Sequence, residues 1–441
     1  MADNVKKVVK FGGSSLASAE QFKKVHAIIT AEESRRYVVP SAPGKRFKED
    51  EKVTDLLIKC QSASANGGDY TTILEKIKER YYSIIEELEL GLSLEGEFEL
   101  IANKLKYGCS RDYMASRGEY LNGIILASYL GYEFIDAAKV VVFDVNGKFL
   151  ADETNKIMSA RLATVEKAVI PGFYGSMPDG TVKTFSRGGS DITGAIVARA
   201  VNADLYENWT DVSGFLMCDP RIVENPKPIS VITYKELREL AYMGATVLHE
   251  DSIFPVKQAG IPINIKNTNA PADHGTLIVT DGDEHKSKDI ITGIAGKKDL
   301  SIIHLEKDMM NAEVGFGMKV LEALCDMGIS FEHLPSGIDT MSIVVNTSYI
   351  EGREKEVINE ISEAVNPDVI HIENGISLIA IVGRGMKNAH GTASRIFKAI
   401  ASENINIRMI DQGSSELNII IGVEEKDFEK TLRAIYKEFI G

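Results

Sequence analysis

The sequence predicts an α/β protein, a three-layer αβα sandwich on a mostly parallel sheet, followed by two small ferredoxin-like units. Three observations lead there. Up to about Thr280, apolar β-branched runs alternate with amphipathic helical stretches. Two glycine-rich loops each sit between a strand-like and a helix-like run. Beyond a polar segment the chain repeats itself at an offset of about 76 residues, Leu300 onward matching Ile376 onward.

Taken in order, the expected strands are Val5–Phe11, Arg36–Pro40, Glu133–Asp136, Lys139–Phe143, Ala168–Gly172, Val182–Phe185, Ala203–Trp209 and Ile263–Lys266. Helical patterns fall between them at Ala19–Glu33, Ile73–Leu90, Ser116–Leu130, Asn155–Val165, Ile192–Val201 and Tyr234–Met243. Strands and helices in this alternation call for parallel pairing with helices on both faces. The charged stretch from Gly44 to Lys52 reads as an exposed loop. The polar run from Thr280 to Asp289 reads as the start of a linker. The expected division is 1–280 for the first domain, 281–298 for the linker, and 299–374 and 375–441 for the two repeats. Each repeat reads strand, helix, strand, turn, strand, helix, and the first has a clear closing strand at Val369–Ile372. That order is the ferredoxin-like unit.

Composition narrows the class. The 441 residues include 64 acidic and 50 basic side chains, for a net charge of −14, which argues against a broad nucleic-acid surface. An anionic substrate must therefore be drawn in by local cations. Cys60, Cys109, Cys218 and Cys325 lie far apart, and the eight histidines are scattered, so neither a disulfide framework nor a protein-built metal cage is expected. Hydrophobic content of 44% without a membrane-spanning apolar run or a signal-peptide core reads as soluble and cytoplasmic, with no membrane partner.

The first loop is Lys10-Phe11-Gly12-Gly13-Ser14-Ser15 and the second is Arg187-Gly188-Gly189-Ser190-Asp191. Paired glycines let backbone N–H groups approach a phosphate, and a following helix N-terminus adds partial positive charge. Neither the P-loop spacing nor the dinucleotide-binding G-x-G-x-x-G is present. What remains is a lysine at a strand end, aimed into a Gly-Gly loop, suited to neutralising a phosphoryl group in transfer.

Other positions stay open between two readings. Ser41-Ala42-Pro43-Gly44 follows a strand end, the edge where open α/β sheets bind ligands. Thr54 reads equally as a helix N-cap or a substrate contact. Glu119, in Arg117-Gly118-Glu119, can serve the helix dipole or a ligand. Thr210-Asp211 and Asp219-Pro220-Arg221 can hold a nucleotide or build turns.

These residues carry a resemblance. KFGGSS at Lys10–Ser15, GE at Gly118–Glu119, GFYGS at Gly172–Ser176, RGGSD at Arg187–Asp191, TDVSG…DPR at Thr210–Arg221 and VLH at Val247–His249 occur in order. The chain resembles, over essentially its whole length, the monofunctional aspartate kinases of the amino-acid kinase superfamily, with two C-terminal ACT domains. The resemblance implies ATP- and Mg2+-dependent phosphorylation of the side-chain carboxylate of L-aspartate, the first step toward lysine, threonine and methionine. It makes Lys10 and Asp191 catalytic, with Lys10 on the γ-phosphoryl and Asp191 orienting Lys10 and the substrate amine. Gly12, Gly13, Ser14, Thr210, Asp211 and Arg221 line the nucleotide site. Arg187 grips an aspartate carboxylate, Glu119 takes the amino group, and Ser41, Thr54 and Ser190 complete the pocket. Magnesium rides on the nucleotide, with no protein ligand assigned. The chemistry agrees: a carboxylate is already ionised at neutral pH, so the nucleophile needs no general base.

Three departures stand out. Leu216 replaces a usual tyrosine, Thr246 replaces a usual lysine, and the Gly44–Val53 segment is inserted. Lys257 or Lys266 is a candidate replacement cation, against a plain surface role. In the first ACT repeat, Met318, Ser336, Gly337, Ile338 and Asp339 are the implied effector contacts, for lysine or threonine, although Met318 also reads as core filler. Homodimers or tetramers through the ACT domains are expected. Two alternatives remain: another amino-acid kinase such as glutamate 5-kinase, and an amino-acid-sensing regulator with a degenerate kinase domain.

Overall fold

A computed structural model describes residues 5–186, 188–244, 250–280 and 289–441. The chain forms two compact units. One takes in Met1–Phe215, Ser230–Tyr234 and Val247–His285, and the other Leu216–Ile229, Lys235–Thr246 and Lys286–Gly441.

A strand buried on both faces must be apolar along its length, and Val8-Val9-Lys10-Phe11 is so except at the lysine. This run is β1 (Lys7–Phe11), the centre of the first unit. Its partners are β2 (Arg35–Pro40), β3 (Glu133–Phe134), β4 (Ala168–Val169), β7 (Leu205–Thr210), β8 (Val231–Thr233), β9 (Ile263–Asn267) and β10 (Thr276–Val279); β5 (Tyr174–Ser176) and β6 (Val182–Thr184) form a separate hairpin. Among the described residues the main sheet has eight strands in the order β3-β4-β2-β1-β7-β9-β10-β8. Every pair in it is parallel except β9 with β10.

The pleat divides β1 between the two faces. Val9 and Phe11 face one layer, made of α1 (Ala19–Thr30), α2 (Val53–Ala65), α3 (Thr71–Glu87), α4 (Glu95–Tyr107) and α5 (Arg111–Leu130). Phe22, Leu57, Tyr81, Leu121 and Ile125 are fully buried there, each contributing about 1.5–3 kcal/mol. Twelve of the residues of α5 are buried, among them the polar Ser116, Arg117, Glu119 and Asn122, so this helix is enclosed over much of its circumference. Ser110 caps its first turn by accepting from the Tyr113 N–H at 3.1 Å, and Gly131 ends it at φ 67. On the other face α7 (Gly189–Ala200) packs on β1, β2 and β7, beside α6 (Ala151–Leu162) and α9 (Glu250–Ala259). The strand expected at Lys139–Phe143 is not formed: a 3-10 turn at Ala137–Lys139 is followed only by isolated bridges at Val142 and Phe143.

The second unit carries α8 (Tyr234–Tyr242) beyond its first residue, and a sheet in the order β12-β13-β11-β14-β16-β15. The strands are β11 (Gly293–Glu306), β12 (Phe331–His333), β13 (Thr340–Asn346), β14 (Val369–Val382), β15 (Met409–Asp411) and β16 (Asn418–Glu424). The helices are α10 (Phe316–Asp326), α11 (Glu354–Val365), α12 (Thr392–Ser402) and α13 (Phe428–Ile440). β11 and β14 pair antiparallel from end to end, with a register shift near Asp299 and Gly375, both at positive φ.

This corrects two expected boundaries. The linker 281–298 does not extend to 298, because Gly293–Lys297 already pair with Leu378–Val382; residues 281–288 lie outside the described residues. The break at 374/375 falls inside β14, so the two repeats share one sheet through two long strands. A continuous ladder satisfies backbone groups that separate sandwiches would leave at open edges.

Candidate functional site

Lys10 and Asn208 are register partners on β1 and β7 and share a face. From the facing layer, Asp191 in the first turn of α7 reaches between them. Lys10 Nζ lies 2.6 Å from Asp191 Oδ1 and 3.4 Å from Asn208 Oδ1. Asn208 Nδ2 donates to Asp191 Oδ1 at 2.9 Å, and the Tyr206 hydroxyl donates to the Asp191 carbonyl at 3.1 Å. Lys10 is only 8% exposed, and a cation that deep requires such a partner. Both residues expected to be catalytic therefore meet. Sequence reasoning missed Asn208 and Tyr206, whose roles come from contact with Asp191 on another element.

The first glycine loop packs against the loop after β2. Gly44 N–H donates to the Gly13 carbonyl at 2.8 Å, and a Cβ on Gly44 would stand 2.6 Å from the Gly13 carbonyl carbon. Only glycine permits that approach. Ser15 and Leu16 spend their N–H groups on the Gly12 and Gly13 carbonyls, and the Ser15 hydroxyl meets Thr268 Oγ1 at 2.7 Å. Gly13 and Ser14 are left as the free N-terminal donors of this 3-10 turn.

Glu119 is 6% exposed on α5. Burial pushes its carboxyl up to about 8, against a hydrogen bond from the Ala42 N–H and the positive charges of Arg117 and Lys10. Its Oε2 has no partner, and neither has Ser190 Oγ. Ser190 abuts Gly172, where a Cβ would lie 2.3 Å from that of Ser190. Arg117 is held by rings, 4.1 Å from the Tyr120 centroid and 4.8 Å from that of Tyr113. Thr54 is not the N-cap of α2, which is Lys52; its hydroxyl lies 3.6 Å from the Cβ position of Gly118, on the Glu119 side. The Ser41 carbonyl accepts from Asn122 Nδ2 at 2.6 Å. A cavity of about 550 Å³ opens one turn outward along both helices, lined by Ile58, Ala115, Phe173 and Ser186, with Arg111 and Lys183 among its polar residues. Arg187 lies outside the described residues.

On the expected nucleotide side, Thr210 Oγ1 donates to Asp211 Oδ1 at 3.1 Å, and Asp211 is exposed. Arg221 belongs to the second unit and is paired with Asp219 at 2.6 Å within its own turn. Leu216 is 39% exposed, and Thr246 and Val247–His249 lie outside the described residues. Lys266 is in register with Trp209, its ammonium 5.3 Å from the indole centroid, on the sheet face opposite Lys10. Among the described residues no group of three His, Cys, Asp or Glu side chains could hold a metal ion, and no helix is long and apolar enough to cross a membrane.

The loop from Gly44 to Lys52 is exposed over most of its length, as expected. Within it Asp50 is partly buried, 2.7 Å from Arg80 Nη1, and Arg80 Nη2 also donates to the Ala17 and Gly44 carbonyls at 2.9 and 2.8 Å. Arg46 first, with Arg80, holds the Asp50 carboxyl well below the usual range. Lys45–Glu49, Glu51 and Lys52 are exposed.

In the second unit Met318 is 66% exposed, which removes the core-filler reading. Asp339 Oδ1 accepts from the Met309 N–H at 3.0 Å, and the Asp339 and Ile338 carbonyls accept from Lys307 and Asn311 at 2.9 and 3.2 Å. Gly337 N–H donates to the Thr340 carbonyl at 2.8 Å, and Ser336 Oγ to that of Leu334 at 3.2 Å. The turn is thus held both by its own backbone and by the Lys307–Asn311 segment, with one Asp339 oxygen already engaged.

Comparison with known proteins bears on this arrangement. Residues 6–267 match the amino acid kinase family and residues 379–439 an ACT domain. The chain is 41% identical to aspartokinase 3 of Bacillus subtilis, over 99% of each chain. It is 54% identical to the solved aspartate kinase of Clostridium acetobutylicum, with a TM-score of 0.90 over 98% of this chain and 99% of that one. The fold is also that of E. coli aspartokinase III solved with aspartate and ADP, 24% identical, with a TM-score of 0.72 over 99% and 100% of the two chains.

Proposed function

We propose roles for the residues of this site from one premise: the chain belongs to the amino acid kinase family, as an aspartate kinase. It transfers the γ-phosphoryl group of ATP to the side-chain carboxylate of L-aspartate, giving 4-phospho-L-aspartate. The observation that carries the assignment of roles is the buried Lys10–Asp191–Asn208 cluster at the end of β1. An anionic acceptor must approach a triphosphate in a protein of net charge −14, so a fixed local cation is required. Lys10 supplies it, and Asp191 and Asn208 aim it.

Gly12, Gly13 and Ser14 present backbone donors to the phosphates, and the free donors of Gly13 and Ser14 fit that use. Thr210, Asp211 and Arg221 are the further nucleotide contacts. Magnesium, carried on the nucleotide, would supply further positive charge against the phosphates. On the acceptor side Glu119 receives the ammonium group, its unpartnered Oε2 being the supporting feature. Arg187 binds a carboxylate, and Ser41, Thr54 and Ser190 close the pocket. Lysine or threonine acts as feedback inhibitor at Met318 and the Ser336–Asp339 turn, in cytoplasmic homodimers joined through the ACT domains.

The test is ADP release dependent on both aspartate and Mg2+, repeated with Lys10→Ala. We expect that substitution to cut turnover by about 10³-fold or more with an unchanged circular-dichroism spectrum. Aspartate-dependent turnover within about tenfold of the parent would remove Lys10 from this role.

A further inference from the structure

Resting on the nucleotide side just described, we propose that Thr268 is a positioning residue for the phosphates of ATP, acting through Ser15 and the Thr210 carbonyl. Thr268 lies one residue beyond β9 and is buried, as is Ser15 in the turn after β1. It reaches two segments at once. Its N–H donates to the Thr210 carbonyl at 2.9 Å, and its hydroxyl shares a hydrogen bond with that of Ser15 at 2.7 Å.

Two backbone bonds close the circuit. Gly12 N–H donates to the Trp209 carbonyl at 2.9 Å, and Ser15 N–H donates to the Gly12 carbonyl at 3.1 Å. Gly12, Ser15, Thr268, Thr210 and Trp209 therefore form a closed hydrogen-bonded ring across the ends of β1, β7 and β9. In the sheet β7 separates β1 from β9, so ladder bonds cannot join those two strands directly. The pair of hydroxyls makes that connection. Without it the turn after β1 is tied to β7 at Gly12 and can shift from Gly13 onward.

The ring holds together the two surfaces assigned to the nucleotide. Gly13 and Ser14, with the free N–H groups, lie between Gly12 and Ser15. Thr210 stands on the opposite side. One ATP molecule touches both, and fixing their separation before it arrives lowers the ordering cost of binding. Asn267 adds a second tie from the same connection, its Nδ2 donating to Ser213 Oγ at 3.1 Å. Lys10 is aimed from outside the ring, by Asp191 and Asn208.

The experiment uses the full-length enzyme with Thr268→Val, Thr268→Ser, Ser15→Ala and the double variant Ser15→Ala with Thr268→Val. For Thr268→Val we expect KM for ATP to rise about tenfold while KM for aspartate stays within about twofold. Thr268→Ser keeps the hydroxyl and should return KM for ATP to within about threefold of the parent. Ser15→Ala opens the ring from the other side, gives the same split, and covers the case in which the valine variant does not fold. The double variant leaves neither hydroxyl buried without its partner, so it regains the thermal stability lost by Thr268→Val. Its ring is still open, and KM for ATP stays about tenfold high. Equal rises in both KM values, or a KM for ATP that recovers with stability in the double variant, overturn the role of Thr268 and leave the kinase assignment standing. A parent enzyme that phosphorylates no aspartate overturns both.

Discussion

Lys297 and Glu373 occupy equivalent positions of β11 and β14 and carry opposite charges. Lys297 pairs with Glu332 on β12, whereas Glu373 pairs with Arg408, one residue before β15. Glu373 also meets His304 Nε2 at 3.2 Å, and that ring stacks on His371 at 4.7 Å. The repeats thus share a backbone plan but not a charge plan. Reversed charge at equivalent sites disfavours exchanging one edge strand for the other.

Charge reversal tests that relationship. Lys297→Glu faces Glu332 with a like charge and should lower stability by about 1 kcal/mol, as expected of a partly buried pair. The double variant Lys297→Glu with Glu332→Lys should recover most of it. Chemical denaturation followed by circular dichroism reads both, and no recovery would mean that the pairing contributes nothing.

Glu119 makes aspartate use pH-dependent. With its carboxyl titrating near about 8, the empty site is protonated over much of the neutral range, yet the ammonium needs the carboxylate. The value of kcat/KM for aspartate should therefore climb as pH rises to about 8 and then level. Stability moves the other way. A raised pKa means that the folded state binds the extra proton between 4.5 and about 8, so the ligand-free enzyme loses stability as pH rises through that window. Glu119→Gln should flatten both profiles and raise KM for aspartate by about 10- to 100-fold.

Arg80 joins the inserted loop to the glycine loop. Arg80→Met removes one of the two arginines on Asp50, leaving Arg46 at 2.8 Å, and frees the Ala17 and Gly44 carbonyls. With Asp50 still paired, the cost is that of the lost hydrogen bonds to the two carbonyls, about 1–3 kcal/mol. Because Gly44 rests on Gly13, KM for ATP should rise as well. Urea unfolding and ATP titration check the two effects, and an unchanged KM for ATP would uncouple the loops.

Part of this site could be read from the chain because its chemistry is local. Lys10 ends an apolar strand before Gly12-Gly13, and Asp191 opens a helix after Gly188-Gly189, so each announced itself within about six residues. Asn208 and Tyr206 did not, since an asparagine or tyrosine acquires a role only from what a distant segment places against it. The charged run around Asp50 does lie in solvent, but that an arginine from another helix would draw in this one member was not readable for the same reason.

The repeat of about 76 residues foretold two ferredoxin-like copies, but not that β11 and β14 would run through both. By itself, then, the order of residues determined which segments would be strands, helices and phosphate-facing loops, because backbone preference and side-chain periodicity act over a few neighbours. The tertiary structure alone decided which buried polar groups meet and which stay unpaired, because hydrogen bonds and ion pairs form only across distances set by how the layers pack.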